Sequence, residues 1–179
     1  MIIFVGVAGA GKSVQGKLLA QDINAPYFSM GEFLRSHVDD GLQKKLITGD
    51  LINDEEAIRV LEGALVENNI ANNEFILDGF PRTVMQTSWL VEQYKTDKIK
   101  IKAVFHLLAS PEVILPRLLE RHRPDDLPEV INKRVGEYQE SIQDIVKMLE
   151  EGGIKVFEIN GERTPEEIHA EIMQFLAKA

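Results

Sequence analysis

Residues Gly6 to Ser13 read GVAGAGKS, a full match to G-x-x-x-x-G-K-[ST], and the chemistry of that spacing is phosphate binding. The glycines let the backbone turn with its N–H groups pointing inward, and Lys12 adds a mobile cation. The motif follows the apolar run Ile2 to Val5, which reads as a buried strand. It precedes Val14, Leu18 and Leu19 on a helix whose positive dipole end falls at the loop. That context argues against a plain glycine turn with a solvated lysine. A nucleoside triphosphate is the natural occupant, held by Gly9, Ala10, Gly11, Lys12, Ser13 and Val14, with the Ser13 hydroxyl facing magnesium.

A second constellation is FILDGFPRTVMQ, Phe75 to Gln86. Asp78 closes an apolar run, the place where P-loop proteins put a carboxylate that holds magnesium, usually through water; the competing role is a helix or turn cap. Gly79 and Pro81 force a tight turn that presents Arg82 beside Asp78, at the sheet end where ligands of open α/β folds bind. Gln86 follows one helical turn later on the same face.

The arginines form the third group. There are eight, and Arg117, Arg121, Arg123 and Arg134 gather around the segment RHRPDD at 121–126. In the helix that follows, Arg134 takes a slot in the stripe Leu127, Ile131, Tyr138, Ile142, Ile145, Leu149. A guanidinium there either pairs with Asp125, Asp126 or Glu137 or meets a bound anion. Clustered arginines repel one another, and a triphosphate would relieve that at roughly 1.5–3 kcal/mol per charge-assisted contact. The clustering favours a phosphate clamp.

Short apolar runs alternate with longer helical patterns, as a parallel sheet covered by helices requires. Strands are expected at Ile2 to Val5, Tyr27 to Phe28, Phe75 to Leu77, Ala103 to Leu107 and Lys155 to Ile159. Helices are expected at Lys12 to Asp22, Gly31 to Val38, Asp54 to Asn68, Val84 to Tyr94, Pro111 to Glu120, Leu127 to Glu150 and Pro165 to Ala177. Pro116 inside one of them is expected to kink it. The connection between the second and third strands needs two or three helices, too many for one crossover. With 179 residues, 44% of them hydrophobic, the chain fits a single compact domain.

The absence of cysteine removes disulfides, thiolate zinc sites and cysteine nucleophiles together. A net charge of −9 argues against a general nucleic-acid surface. No apolar run approaches the roughly 20 residues of a membrane helix, and a strand starting at Ile2 leaves no room for a signal peptide. A cytoplasmic protein is expected. His37, His106 and His169 lack metal-like spacing and read as surface or packing residues, and Trp89 as core.

DGFPRT with a glutamine four residues after its arginine, together with GxxGxGK, resembles the adenylate kinase branch of the nucleoside monophosphate kinases. Further matches follow in order. FSMGEFLR at Phe28 to Arg35 is similar to the family's S-T-G-D-L-L-R, and GDLINDE at Gly49 to Glu55 to its G-x-L-V-x-D-E. RHRPDD with INKRVGEY resembles a short lid and its following helix, and NGERTPEE, containing Gly161, the adenine-side loop. The resemblance covers almost the whole chain.

It implies a P-loop three-layer α/β fold with a five-stranded parallel sheet, a helical monophosphate-binding insertion at about 30–59 and a very short lid at about 121–126. The core would comprise 1–29, 60–120 and 127–179. The implied reaction is reversible, magnesium-dependent transfer of the ATP γ-phosphoryl group to AMP, giving two ADP. Catalysis would fall to Lys12, Arg82, Arg121, Arg123 and Arg134. Arg117, Arg121, Arg123 and Gly161 would join the P-loop on ATP, with Arg117 stacked on its adenine. Met30, Arg35, Leu51, Ile52, Gly79, Arg82, Gln86, Arg123 and Arg134 would hold AMP. Ser13 and Asp78 would position magnesium, mainly through water, and no zinc, nucleic acid or membrane is implied. A monomer is the family expectation.

The chain departs from the family's pattern in places. Met30 replaces a threonine whose hydroxyl helps read the acceptor base, so acceptor choice rests on Gln86, whose amide can donate and accept against an adenine edge. Ala8 replaces a proline, Glu32 an aspartate, and Ser13-Val14 the usual Gly-Thr. Only His122 separates Arg121 from Arg123, which predicts incomplete closure over ATP. The alternatives are a UMP/CMP kinase of the same family and, in another class, a P-loop switch or ATPase that transfers nothing to an acceptor.

Overall fold

A computed structural model describes residues 1–37, 52–67, 74–121 and 127–178. Its strands are β1 (Ile2–Val5), β2 (Tyr27–Ser29), β3 (Ile76–Asp78), β4 (Ala103–Leu108) and β5 (Val156–Asn160). Its helices are α1 (Lys12–Asp22), α2 (Met30–His37), α3 (Asp54–Glu67), α4 (Val84–Lys95), α5 (Pro111–Glu120), α6 (Pro128–Glu151) and α7 (Pro165–Leu176). The strands form one parallel sheet in the order β2-β3-β1-β4-β5.

β1 lies at the centre and is buried on both faces, which is why it reads as an unbroken apolar run instead of an alternating one. Ile3 and Val5 join Leu77, Leu90, Ile145 and Leu149 in one core layer. Ile2 and Phe4 join Leu19, Phe105, Ile168 and Ile172 in the other. Successive residues serve opposite layers because side chains alternate along a strand. The result is the expected three-layer α/β fold.

The register aligns Phe4 with Asp78 and Phe105, Ser29 with Asp78, and Leu108 with Asn160. Every strand therefore ends at the same edge, and the loops after β1, β3 and β5 emerge together. Strand order changes direction beside β1, so the crevice for a ligand opens where GVAGAGKS leaves the sheet. Helix ends are held locally: Thr83 caps α4, and Thr164 and Glu167 form a reciprocal capping box ahead of Pro165 in α7.

Element ends differ from expectation by a residue or two, with Asp78 and Asn160 belonging to strands. Two helices, α2 and α3, occupy the described part of the β2–β3 connection. α3 runs through 59–60, where the sequence reading divided insertion from core. Leu127 is a correction: it is 55% exposed and precedes α6, so the apolar stripe of that helix begins at Ile131. Helix α5 continues through Pro116. Most of the expected lid, 122–126, lies outside the described residues. No helix among the described residues is long and apolar enough to cross a membrane.

Candidate active site

The P-loop closes on itself. The Val7 carbonyl accepts from the Ala10 N–H at 3.2 Å and from Lys12 Nζ at 2.9 Å. Gly6 sits at φ 148°, and a Cβ there would lie 2.7 Å from the Leu107 carbonyl oxygen, so only glycine lets the loop leave β1 beside β4. Burial lowers the Lys12 pKa to about 8; Asp78 opposes the shift, and Arg82 and Arg121 add to it. A phosphate beside Lys12 would restore its charge.

Asp78 is 3% exposed, and one oxygen, Oδ2, accepts from Ser13 Oγ at 2.6 Å and from Tyr27 Oη at 2.8 Å. The alignment of Ser29 with Asp78 places β2 next to the carboxylate, with Tyr27 reaching it from the start of that strand. Burial and the Asp78 charge raise the Tyr27 pKa, so its phenol stays a proton donor. Nothing in the sequence patterns singled out Tyr27; its role depends on strand pairing.

The cavity over this edge has a volume of about 830 Å³, within the range of small-molecule sites. Lys12, Ser13, Val14 and Asp78 line one part of it. Arg35, Gly79, Arg82, Arg121 and Arg134 line another, bringing arginines from α2, the β3–α4 loop, the end of α5 and α6 to one space. Gly31 marks where two of them converge. A Cβ there would lie 3.3 Å from an Arg35 Nη and 3.7 Å from an Arg82 Nη. Arg82 is oriented by its Nε bond to the Gly79 carbonyl at 2.8 Å. Burial lowers the Arg82 pKa, opposed by Asp78 and assisted by Arg134. Two guanidiniums beside a residue with no side chain make room for a tetrahedral anion.

A third part of the wall is built around Arg117. Its Nη1 donates to the Gly161 carbonyl at 2.8 Å and to that of Gly9 at 3.5 Å, and Nη2 to Glu162 at 3.4 Å. It thus ties the P-loop to the loop after β5. Gly161 is required by close approach, since a Cβ would sit 2.6 Å from the Ala10 carbonyl oxygen and 3.0 Å from that of Leu108. Gln15, 1% exposed, fastens α1 to the start of α7 through Nε2 and the Pro165 carbonyl at 2.9 Å.

Some expected contacts are not gathered here. Ala10 faces the core at 0% exposure, packed with Ile114 and Leu118. Met30 and Ile52 are buried at 3% and 7% beside Leu34 and Phe80. Gln86 is 3% exposed, with its amide engaged by the Arg82 backbone and Asp54. None of these four lines the cavity. Leu51 and Arg123 lie outside the described residues. His106 is a packing residue behind the P-loop, 3.6 Å from Glu158 Oε1 and made harder to protonate by burial. His169 joins α7 to Asp22 of α1 at 2.9 Å, and Trp89 packs edge-on against Phe80.

Comparison with known proteins agrees with this geometry. A family profile described as adenylate kinase matches residues 4–154. The chain belongs to the adenylate kinase family. Full-length relatives bear the same name. An adenylate kinase of Corynebacterium aurimucosum is 33% identical, with 98% of each chain covered. One from Prochlorococcus marinus is also 33% identical over 98% of each, and one from Leptospira biflexa is 35% identical over 97% of each. As a member, the chain is a nucleoside monophosphate kinase, a phosphotransferase.

Proposed function

We propose that this cavity transfers the γ-phosphoryl group of ATP to AMP, reversibly, giving two ADP. The observation that carries the reading is the presence of two cationic anion sites in one cavity: Lys12 in its loop, and Arg35 with Arg82 around Gly31. A hydrolase or a nucleotide switch needs only the first.

The attacking atom is a phosphate oxygen of AMP, already ionised near pH 7 because its second pKa is about 6. No general base is needed, and the protein's task is alignment and charge stabilisation. Arg35 and Arg82 hold the acceptor phosphate. Lys12, Arg121 and Arg134, each half-buried, face the group in transit, in a setting that strengthens each charge–charge contact over its value in bulk water. Arg117 and the Gly161 loop flank the donor base.

Magnesium fits the donor set. Ser13 Oγ and Asp78 Oδ2 are hard oxygen ligands 2.6 Å apart at the P-loop. Among the described residues no group of three or more His, Cys, Asp or Glu could hold a metal by itself. When bound, magnesium would neutralise charge on the β- and γ-phosphates.

The test is ADP formation from Mg-ATP with AMP, CMP, UMP, GMP or dTMP supplied singly, beside a control without acceptor. AMP-dependent turnover well above the others is expected. Phosphate release independent of any acceptor would overturn transfer, and preference for CMP or UMP would overturn the choice of AMP.

A further inference from the structure

We propose that Asp54, acting through Gln86, positions Arg82 for the acceptor phosphate. This rests on the reading of Arg82 as a ligand of that phosphate. Asp54 and Gln86 are positioning residues and act from behind the site.

Four hydrogen bonds carry the inference. Pro81 has no N–H, so the next backbone donor in the turn after β3 is that of Arg82, and Gln86 Oε1 accepts it at 2.8 Å. At its other end the same amide donates through Nε2 to Asp54 Oδ1 at 2.8 Å, and Thr83 Oγ1 donates to that oxygen at 2.9 Å. With its proton given to Asp54, the Thr83 hydroxyl accepts from the Gln86 N–H at 3.1 Å. Asp54, Thr83 and Gln86 thus form a closed ring, and the fourth bond connects it to Arg82. A backbone N–H can only donate and an ionised carboxylate can only accept, so the orientation of the amide follows from its partners. Asp54 is not needed to cap its own helix: Asn53 does that, its Oδ1 accepting from the Glu55 N–H at 2.8 Å. The Asp54 carboxylate instead reaches across elements, to residues 29 and 32 positions away.

Gln86 is 3% exposed, and neither it nor Asp54 lines the cavity, whereas Arg82 and Thr83 do. Asp54 begins α3, in the long β2–β3 connection that also carries Arg35 on α2, while Arg82 belongs to the loop after β3. The two guanidiniums that converge on Gly31 therefore come from different segments, and Asp54 ties those segments together just behind them. Gln86 holds the Arg82 backbone, and the Gly79 carbonyl holds its Nε at 2.8 Å. A guanidinium fork matches a phosphate through paired N–H groups, so a shift of the backbone that carries it breaks the match. Misplacing the acceptor also slows transfer itself, because the reacting atoms must meet in line. Removing the carboxylate would leave two donors, Gln86 Nε2 and Thr83 Oγ1, without their partner, and the ring would rearrange to satisfy them.

The experiment measures kcat and KM for ATP, for AMP and for the fastest of CMP, UMP, GMP and dTMP. The proteins are the wild type, Asp54→Ala, Asp54→Asn, Arg82→Lys and the double variant of Asp54→Ala with Arg82→Lys. Asp54→Ala should lower kcat/KM for AMP about tenfold and that for the second acceptor by the same factor, since the two share a phosphate and not a base. The KM for ATP should not change. Both Asp54 bonds end on one oxygen, which the Asn amide also offers, so Asp54→Asn should stay within about threefold of wild type. On the Arg82→Lys background the alanine change should lower kcat/KM by less than about twofold more, because its path ends at Arg82. Unchanged constants for AMP in Asp54→Ala, or losses that multiply in the double variant, overturn the tie. A loss confined to AMP overturns it in favour of a base contact, and parallel rises in KM for ATP and AMP overturn it in favour of a general loss of structure. Asp54→Ser, too short to reach both donors, serves if Asp54→Ala proves unfolded in thermal melts. Absence of acceptor-dependent transfer in the wild type overturns the phosphate reading of Arg82, and the proposal with it.

Discussion

Lys12 offers the sharpest check on the electrostatics of the site. In the nucleotide-free protein, burial brings its pKa to about 8, so at pH 9 only about 9% of molecules carry the charge. A bound triphosphate places several negative charges at the ammonium and should return the pKa to at least its ordinary value of 10.5. At pH 9 that protonates about 97% of the sites, and binding must take up about 0.9 proton per ATP. At pH 7 the lysine is already about 91% protonated, and the uptake falls to about 0.1. Nucleotide phosphates are fully ionised at pH 9, burial raises Tyr27 and Tyr138, and burial keeps His106 neutral. The Met1 ammonium, also lowered by burial, lies at the opposite end of β1. Calorimetric titration of ATP in two buffers of different ionisation enthalpy gives the proton count directly. Uptake below about 0.3 proton at pH 9 would refute the argument, because an unshifted lysine is about 97% protonated before binding. Lys12→Arg should bind without uptake, since a guanidinium stays charged; equal uptake in that variant would assign the proton elsewhere.

Two further outcomes test the wall of the cavity. Tyr27→Phe removes one of the two donors that hold Asp78 Oδ2 and should lower kcat about five- to tenfold, most at low magnesium, with little change in the KM for ATP. A kcat equal to wild type across a magnesium titration would show that Ser13 alone positions the carboxylate. Gly161→Ala puts a methyl group 2.6 Å from the Ala10 carbonyl oxygen, and backbone on both sides leaves it no room. The loop after β5 must withdraw from the P-loop, raising the KM for ATP at least about tenfold while that for AMP moves little. Parallel changes in both constants would point to a general loss of structure.

Wherever local pattern is enough, the sequence was readable. GVAGAGKS after four apolar residues specified strand, loop and helix, because phosphate binding demands that order. DGFPRT specified the turn that sets Arg82 beside Asp78. A helix from Pro165 was expected from local pattern, and Thr164 with Glu167 caps it there. Leu127 was misread because a helical stripe extended by one slot looks the same whether or not the helix has begun; Pro128 at its first turn is the actual start. Thr83-x-x-Gln86 also carried an unread signal. It has the pattern of a capping box, and Gln86 indeed donates its backbone N–H to Thr83 Oγ1 at 3.1 Å.

The sequence by itself determined the family, the phosphate loop and the identity of most charged groups in the cavity, since each rests on residues adjacent in the chain. Only the tertiary structure decided who their partners are. Tyr27 meets Asp78 across 51 positions, Arg117 meets Gly161 across 44, and Asp54 meets Gln86 across 32. The first follows from the parallel register of β2 with β3, the other two from how helices and loops pack at that edge of the sheet, and both are properties of the packed molecule that no single segment encodes.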